Sequence, residues 1–252
     1  MNEKTLNTLS VIWIAVAIIT LPFLLRITQP YGRHATKKWG AMMDNKLGWV
    51  IQELPSPLVL SIFFLTGTGV KTAAAWCIWG LWMIHYINRT FIFPLRIRTK
   101  GKKIPVLIVI SAICFNCMNG FLNGSYLGNF GSAYEADFFQ SPHFIIGLFL
   151  FVTGAFINNY SDTKLINLRK PGETGYKIPT GGLFRYISCP NHFGEMIEWL
   201  GFAIIAWSLP AVSFAIWTIC NLIPRTLDNH KWYLEKFPDY PKQRKAVIPF
   251  VL

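Results

Sequence analysis

The sequence predicts an all-α fold, an integral membrane bundle of seven transmembrane helices with its N-terminus outside and its C-terminus cytoplasmic. Three observations predict it. Of 252 residues, 52% are hydrophobic and only 14% charged, more apolar surface than a soluble chain can hide. Seven apolar runs approach the length a helix needs to cross about 30 Å of hydrocarbon, where backbone polar groups must bond within the segment. The 24 basic residues fall almost entirely on alternate connections between those runs.

The runs are Leu9 to Leu25, Pro57 to Val70, Thr72 to Phe93, Ile104 to Leu122, His143 to Asn159, Phe193 to Ser208 and Pro210 to Ile223. The first is too long for the apolar core of a signal peptide and no small-residue cleavage site follows it, so it reads as a span. The second and the last two are short. Pro210 marks a tight turn between the sixth and seventh. The prolines of QELPSP are expected to hold the chain extended ahead of the second helix.

Charge tests the count independently. Seven spans put four segments on one side: Arg26 to Ser56, Pro94 to Lys103, Tyr160 to His192, and the tail from Arg225. These hold five, five, five and six bases, whereas the other side holds Lys4 and Lys71, and Arg89 falls inside the third run. Asn123 to Pro142, on the poor side, carries Glu135 and Asp137 and no base. Cytoplasmic loops collect Lys and Arg, and six or eight spans would scatter this asymmetry. The tail is the least apolar part, but Trp232, Tyr233, Phe237 and Tyr240 predict that it docks on the rest.

The net charge of +12 points to a membrane surface rather than nucleic acid, because long apolar runs interrupt the bases. Five cysteines stand at 77, 114, 117, 189 and 220, an odd count that argues against a disulfide framework. Cys114 and Cys117 form a lone CxxC without a second pair, so no metal site is expected. No internal repeat or flexible linker divides the chain, and residues 1–252 read as one domain.

Ionisable groups in spans are costly and therefore point to function. Gln52 and Glu53 precede the second span; the bland reading is an acid near a helix N-terminus. His85, Tyr86 and Arg89 lie in the third, where Tyr86 and Arg89 share a face and the bland reading is an aromatic belt with a snorkelling arginine. Glu195 and Glu198, three apart in the sixth, need donors, a cation or protons of their own. The segment NLRKPGETGYKIPTGGLFRYISCPNH combines bases with glycine amides, a composition suited to phosphate groups or to anionic headgroups. Asn158 and Asp162 precede it at i and i+4, and Arg225 and Tyr233 follow in the tail. No GxGxxG follows a strand, so a nucleotide would bind without a Rossmann unit.

The strings QELPS, HYINRTF, NLRKPGETGYKIPTGGLF, NHFGEMIEWLGFAIIAWSLPA and YPKQRKAVIPF, in this order, resemble the steroid 5α-reductase family. The resemblance covers nearly the whole chain from Gln52 onward. It implies NADPH-dependent reduction of the C4=C5 double bond of a 3-oxo-Δ4 steroid, or a similar sterol enone, in a seven-helix membrane fold. By similarity, Glu53 and Tyr86 grip the ketone oxygen with Gln52 beside them. Asn158, Asp162, Arg169, Tyr176, Asn191, Arg225 and Tyr233 match NADPH-binding positions, and Glu195 matches an acid near the nicotinamide. Residues 1–103 then carry helices 1–3 and the ketone clamp, and residues 104–252 carry helices 4–7 and the NADPH loops.

The stretch RTLDNHKWYL departs from the more histidine-rich run of the animal relatives, so His230 gains no role. The segment from Pro94 to Lys103 also departs, which leaves Arg98 and Lys100 unassigned, as is Glu198. The bases from Arg33 to Lys46 and from Lys100 to Lys103 read as positive-inside residues. The remaining readings are another sterol reductase, a membrane methyltransferase, or a lipid or ion transporter using Glu195 and Glu198. A monomer is expected, multi-pass in the plasma membrane of a bacterium or the endoplasmic reticulum of a eukaryote.

Overall fold

The computed structural model describes residues 2–98, 101–131, 134, 137–170, 173 and 175–252; Lys100 and Glu135 lie outside the described residues. The first helix, α1 (Glu3–Leu24), starts at Asn2, whose side chain accepts from the Thr5 amide at 2.8 Å. Its Val11, Ile12, Ile18, Ile19 and Phe23 are exposed, as befits a helix that meets lipid. Then come α2 (Asn45–Glu53), α3 (Pro55–Thr66) and α4 (Ala73–Ile87), the last passing through a π-helical turn at Asn88–Ile92 into α5 (Phe93–Arg96). The chain continues as α6 (Val106–Phe130), α7 (Pro142–Asn167), α8 (Pro190–Ala206) and α9 (Leu209–Lys236).

Because α2 joins α3, and α4 joins α5, the described residues form seven helical rods, each overlapping one apolar run of the sequence in order. Four of them, α1, α2–α3, α6 and α7, are long and apolar enough to cross a membrane.

Two boundaries differ from the sequence reading. The chain is not extended at QELPSP: Leu54 has helical dihedrals and joins the end of α2 directly to the first turn of α3, so the rod reaches from Asn45 to Thr66. Pro55 is tolerated because a first-turn position has no intrahelical N–H bond to lose. Glycines on α6 then fix α3 at backbone contact; a Cβ on Gly124 would lie 2.5 Å from the Leu60 carbonyl oxygen. The last rod does not stop before Pro224 but continues to Lys236. At 1.5 Å per residue its 28 residues span about 42 Å, which leaves the turns after Pro224 as a projection beyond the end expected from the sequence. Thr226 and Tyr233 on that projection are buried, and Tyr233 stacks on Tyr240 at 5.1 Å.

The tightest pairing is α7 with α8. A Cβ on Gly154 would lie 2.5 Å from the Gly194 oxygen, and one on Gly201 would lie 2.6 Å from that of Gly147. Small residues at seven-residue intervals on both helices let the backbones touch, which drives association where lipid offers no hydrophobic gain. Trp82, Trp199, Phe202 and Phe214 pack between α4, α8 and α9 as the core.

Contacts between loops collect the four basic segments at one end. A two-stranded antiparallel ribbon, absent from the all-α expectation, pairs β1 (Met42–Asp44) with β2 (Lys103–Pro105). Ile187 bridges Lys245, and the Lys102 ammonium donates to the Tyr176 hydroxyl at 3.0 Å.

Candidate functional site

A cavity of about 760 Å³ opens among α1, α2, α4 and α6–α9, within the range of small-molecule sites. Toward the helix core its walls are aromatic: Phe115 meets Trp13, Trp217 and Phe214, and Phe214 meets Trp199. Toward the basic loops they carry Arg33, Lys102, Arg169 and Arg225.

At the aromatic end, Gln52 and Glu53 fall in the last turn of α2, and Gln52 Nε2 donates to Glu53 Oε1 at 3.0 Å. The Tyr86 hydroxyl donates to Asn116 Oδ1 at 3.4 Å, and Asn116 Nδ2 donates to the Gln52 carbonyl at 2.6 Å. Asn116 thus ties the α4 tyrosine to the α2 backbone at Gln52, the residue beside Glu53.

The π turn explains the next group. Five-residue spacing releases a carbonyl from the regular ladder, and Trp49 Nε1 donates to the Arg89 carbonyl at 3.0 Å. The guanidinium lies over Trp49 and Phe93, at 5.1 and 4.7 Å from their ring centres. From there Nη1 donates to Asp162 Oδ2 at 3.1 Å, and Nη2 is 3.8 Å from Glu195 Oε2. Asn158 Nδ2 completes the cluster, donating to the Asn191 carbonyl at 3.0 Å and to Glu195 at 3.2 Å. With only 13% of its side chain exposed, Arg89 does not snorkel; it holds two acids inside the protein. Glu195 and Glu198 do not share one cation site either. Glu198 Oε1 instead faces His85 Nδ1 at 2.8 Å.

At the loop end, Arg225 Nε donates to Gln29 at 2.7 Å, and its guanidinium covers the Tyr31 ring. Burial pushes the Tyr31 phenol up from its usual value, against the pull of Arg225, so that ring stays neutral. Arg33 is enclosed by Tyr176, Trp232 and Tyr233, and its Nη1 is buried with no hydrogen-bond partner among the described residues.

Of the residues predicted from the sequence, Gln52, Glu53, Tyr86, Asp162, Arg169, Tyr176, Asn191, Glu195 and Arg225 line this one cavity. Asn158 and Tyr233 stand behind the wall, Asn158 holding Glu195 and Tyr233 accepting from Arg33. His230 is turned away toward Ser188 at 2.6 Å. Arg98 lies at the cavity mouth.

Sequence reasoning missed Asn116, Arg33 and Lys102. Asn116 had a signal, since Asn116, Asn119 and Asn123 form a polar stripe in an otherwise apolar span. Arg33 and Lys102 read as positive-inside residues and had none; both line the cavity.

A family model described as 3-oxo-5-alpha-steroid 4-dehydrogenase matches residues 102–252. The chain is 41% identical over 252 residues to 3-oxo-5-alpha-steroid 4-dehydrogenase 1 of Bos taurus, covering 98% of this chain and 97% of the relative. It is 39% identical to the Homo sapiens protein of the same name, covering 99% and 96%. A plant relative, steroid 5-alpha-reductase DET2 of Arabidopsis thaliana, is 39% identical, with 90% of each chain covered.

Proposed function

Because the chain belongs to the 3-oxo-5-alpha-steroid 4-dehydrogenase family, we propose that it reduces the C4=C5 double bond of a 3-oxo-Δ4 steroid with NADPH. The observation that carries this reading is the pairing of two ends in one cavity. Glu53 and Tyr86 line an aromatic end, where Asn116 links Tyr86 to the backbone of Gln52 beside Glu53, and Arg33, Lys102, Arg169 and Arg225 stand at the other.

The loop end fits a phosphorylated dinucleotide. Arginine and lysine suit phosphate oxygens, and the buried Arg33 Nη1 has a donor to spare. Arg33, Lys102, Arg169 and Arg225 would hold the phosphates, with Tyr176 beside them, and Asn191 and Glu195 would face the reactive ring. Bound there, NADPH supplies the hydride that reaches steroid C5.

The residues at the aromatic end then act on the steroid. Hydride arriving at the β-carbon of an enone drives charge onto the ketone oxygen, so groups that bind the enolate more tightly than the ketone lower the barrier. Tyr86 turns its hydroxyl proton from Asn116 to the ketone oxygen. Glu53, in its protonated form, donates a second hydrogen bond, and Gln52 holds that carboxyl in place. Trp13, Phe115 and Trp217 exclude water along the apolar rings of the substrate.

In the same reading the seven rods are seven spans with the N-terminus outside and the C-terminus cytoplasmic, and the protein is a multi-pass monomer. The clustering of four basic segments at one end supports it. The membrane is the plasma membrane of a bacterium or the endoplasmic reticulum of a eukaryote. A methyltransferase would need neither a hydride donor nor the Glu53 and Tyr86 clamp. The deciding experiment mixes purified protein with NADPH and a panel of Δ4-3-ketones and analyses the products. NADPH oxidation that depends on the enone and yields 5α-reduced ketone is expected; no oxidation with any enone overturns the reading.

A further inference from the structure

His85 and Glu198 form a buried pair that the clamp and the cofactor end leave unused. Nδ1 of His85 lies 2.8 Å from Glu198 Oε1, with side-chain exposures of 6% and 2%. Glu198 Oε2 has no hydrogen-bond partner among the described residues. His85 itself lines the cavity, with its ring 5.1 Å from that of Tyr86 and 4.6 Å from Trp199.

Charge balance fixes which nitrogen carries a proton. A lone buried carboxylate is costly, and Arg89 cannot neutralise Glu198, because Asp162 and Glu195 already share its single charge. Two arrangements remain neutral overall. Either Glu198 is ionised and His85 is the imidazolium, or Glu198 is protonated and donates to Nδ1 of a neutral ring. In both, Nε2 bears a hydrogen, and Nε2 is the nitrogen that Glu198 leaves free. An acid that orients an imidazole and fixes its tautomer is the arrangement of a proton-transfer pair.

We propose that His85 donates the proton that completes the reduction, at steroid C4, with Glu198 as its positioning residue. The proposal rests on the enone-reductase reading given above. Hydride addition at C5 leaves the electron pair of the former double bond shared between C4 and the ketone oxygen. C4 is bonded to the ketone carbon, so its proton donor has to stand within a side chain's reach of the residues that hold the oxygen. There, Glu53 and Tyr86 are engaged with that oxygen, Gln52 and Asn116 are amides without acid chemistry, and Arg89 is bound to its acids. His192 lies six residues before Glu198 on α8, about 9 Å along the axis, and is held by Thr226 at 2.7 Å. In the step itself the Nε2–H bond breaks, the C4–H bond forms and the ketone is restored, while the other proton of the pair stays on Nδ1 or passes to it from Glu198, so that the ring ends as a neutral imidazole beside the Glu198 carboxylate. Water from the polar end of the cavity then returns one proton to the His85 and Glu198 pair.

Two measurements test this. In His85→Gln, kcat with NADPH and an enone steroid is expected to fall about 100-fold, with KM within about threefold. The solvent deuterium isotope effect on kcat is expected to rise, because C4 protonation becomes limiting; Glu198→Gln shows the same rise with a smaller loss. Turnover of His85→Gln within about threefold of the unmodified protein, or a loss with no change in isotope effect, overturns the proposal. The second measurement needs neither a variant nor turnover: 15N spectra of the unmodified protein are expected to show His85 Nε2 protonated. A bare Nε2 overturns the assignment even if the variants do not fold. Failure of the unmodified protein to oxidise NADPH with any enone instead overturns the functional reading on which this rests.

Discussion

Arg33 Nη2 donates to the Tyr233 hydroxyl at 3.3 Å, and its guanidinium carbon lies 4.4 Å from the centre of that ring. The loop after the first helix is thereby fastened to the end of the last. The same guanidinium faces Trp232 and Tyr176, and its Nη1 has no partner among the described residues, so this contact organises the proposed phosphate end. Arg33→Ala is expected to weaken NADPH binding at least about tenfold, roughly 1.4 kcal/mol, with a smaller effect on kcat. Arg33→Lys recovers only part of it, because an ammonium lacks the planar, stacking fork. Titration of NADPH by fluorescence measures both, and unchanged affinity in Arg33→Ala would remove Arg33 from the phosphate site.

Glu53→Gln retains shape and an amide donor but removes the acid. If a protonated Glu53 stabilises the enolate, kcat falls about 10²- to 10³-fold, while the Kd of the steroid changes less. Stopped-flow NADPH oxidation is the measurement, and near-normal turnover would show that the acidity of Glu53 has no part in the reaction.

The contact of α7 with α8 should be intolerant of a single methyl group. Gly154→Ala would bring a Cβ 2.3 Å from the Glu198 amide nitrogen, forcing the backbones apart and costing about 1–3 kcal/mol. Its Tm in detergent falls, and activity falls with it, because Glu198 and Glu195 ride on α8. Gly80→Ala is the control: among the described residues nothing beyond its own helix backbone lies within 4 Å of its Cβ, and relief of helical glycine is worth about +0.5 to +1 kcal/mol.

Burial pushes the Cys189 thiol up to about 12, from just before α8. Only a thiolate reacts, so Cys189 is expected to resist maleimide at neutral pH in the folded protein and to label in denaturant. The linked stability has a definite sign. The folded pKa is raised, so this contribution is fully present below the unfolded value of about 8.5 and is lost as pH rises toward about 12. Mass mapping of the labelled peptides and thermal melts across that range check the two parts.

The sequence by itself determined the helical membrane architecture, because apolar runs and the placement of bases act through the bilayer, whose thickness and surface charge are the same for every chain. It also singled out Glu53, Tyr86 and the Asn158 to Arg225 set as candidates, in blocks resembling one family, and most of them line one cavity. Tertiary structure decided what periodicity could not express. Pro55 stays helical because it opens the first turn of α3 directly behind α2. Arg89 is a buried clamp rather than a snorkelling base because a π turn frees its carbonyl for Trp49. Arg33 and Lys102 belong to the cavity because loops far apart in sequence close over one another. Glu195 and Glu198, alike in sequence, have different partners because the π turn presents Arg89 to one and the end of α4 presents His85 to the other. Such pairings depend on distances between helices, and a single strand of sequence holds no record of them.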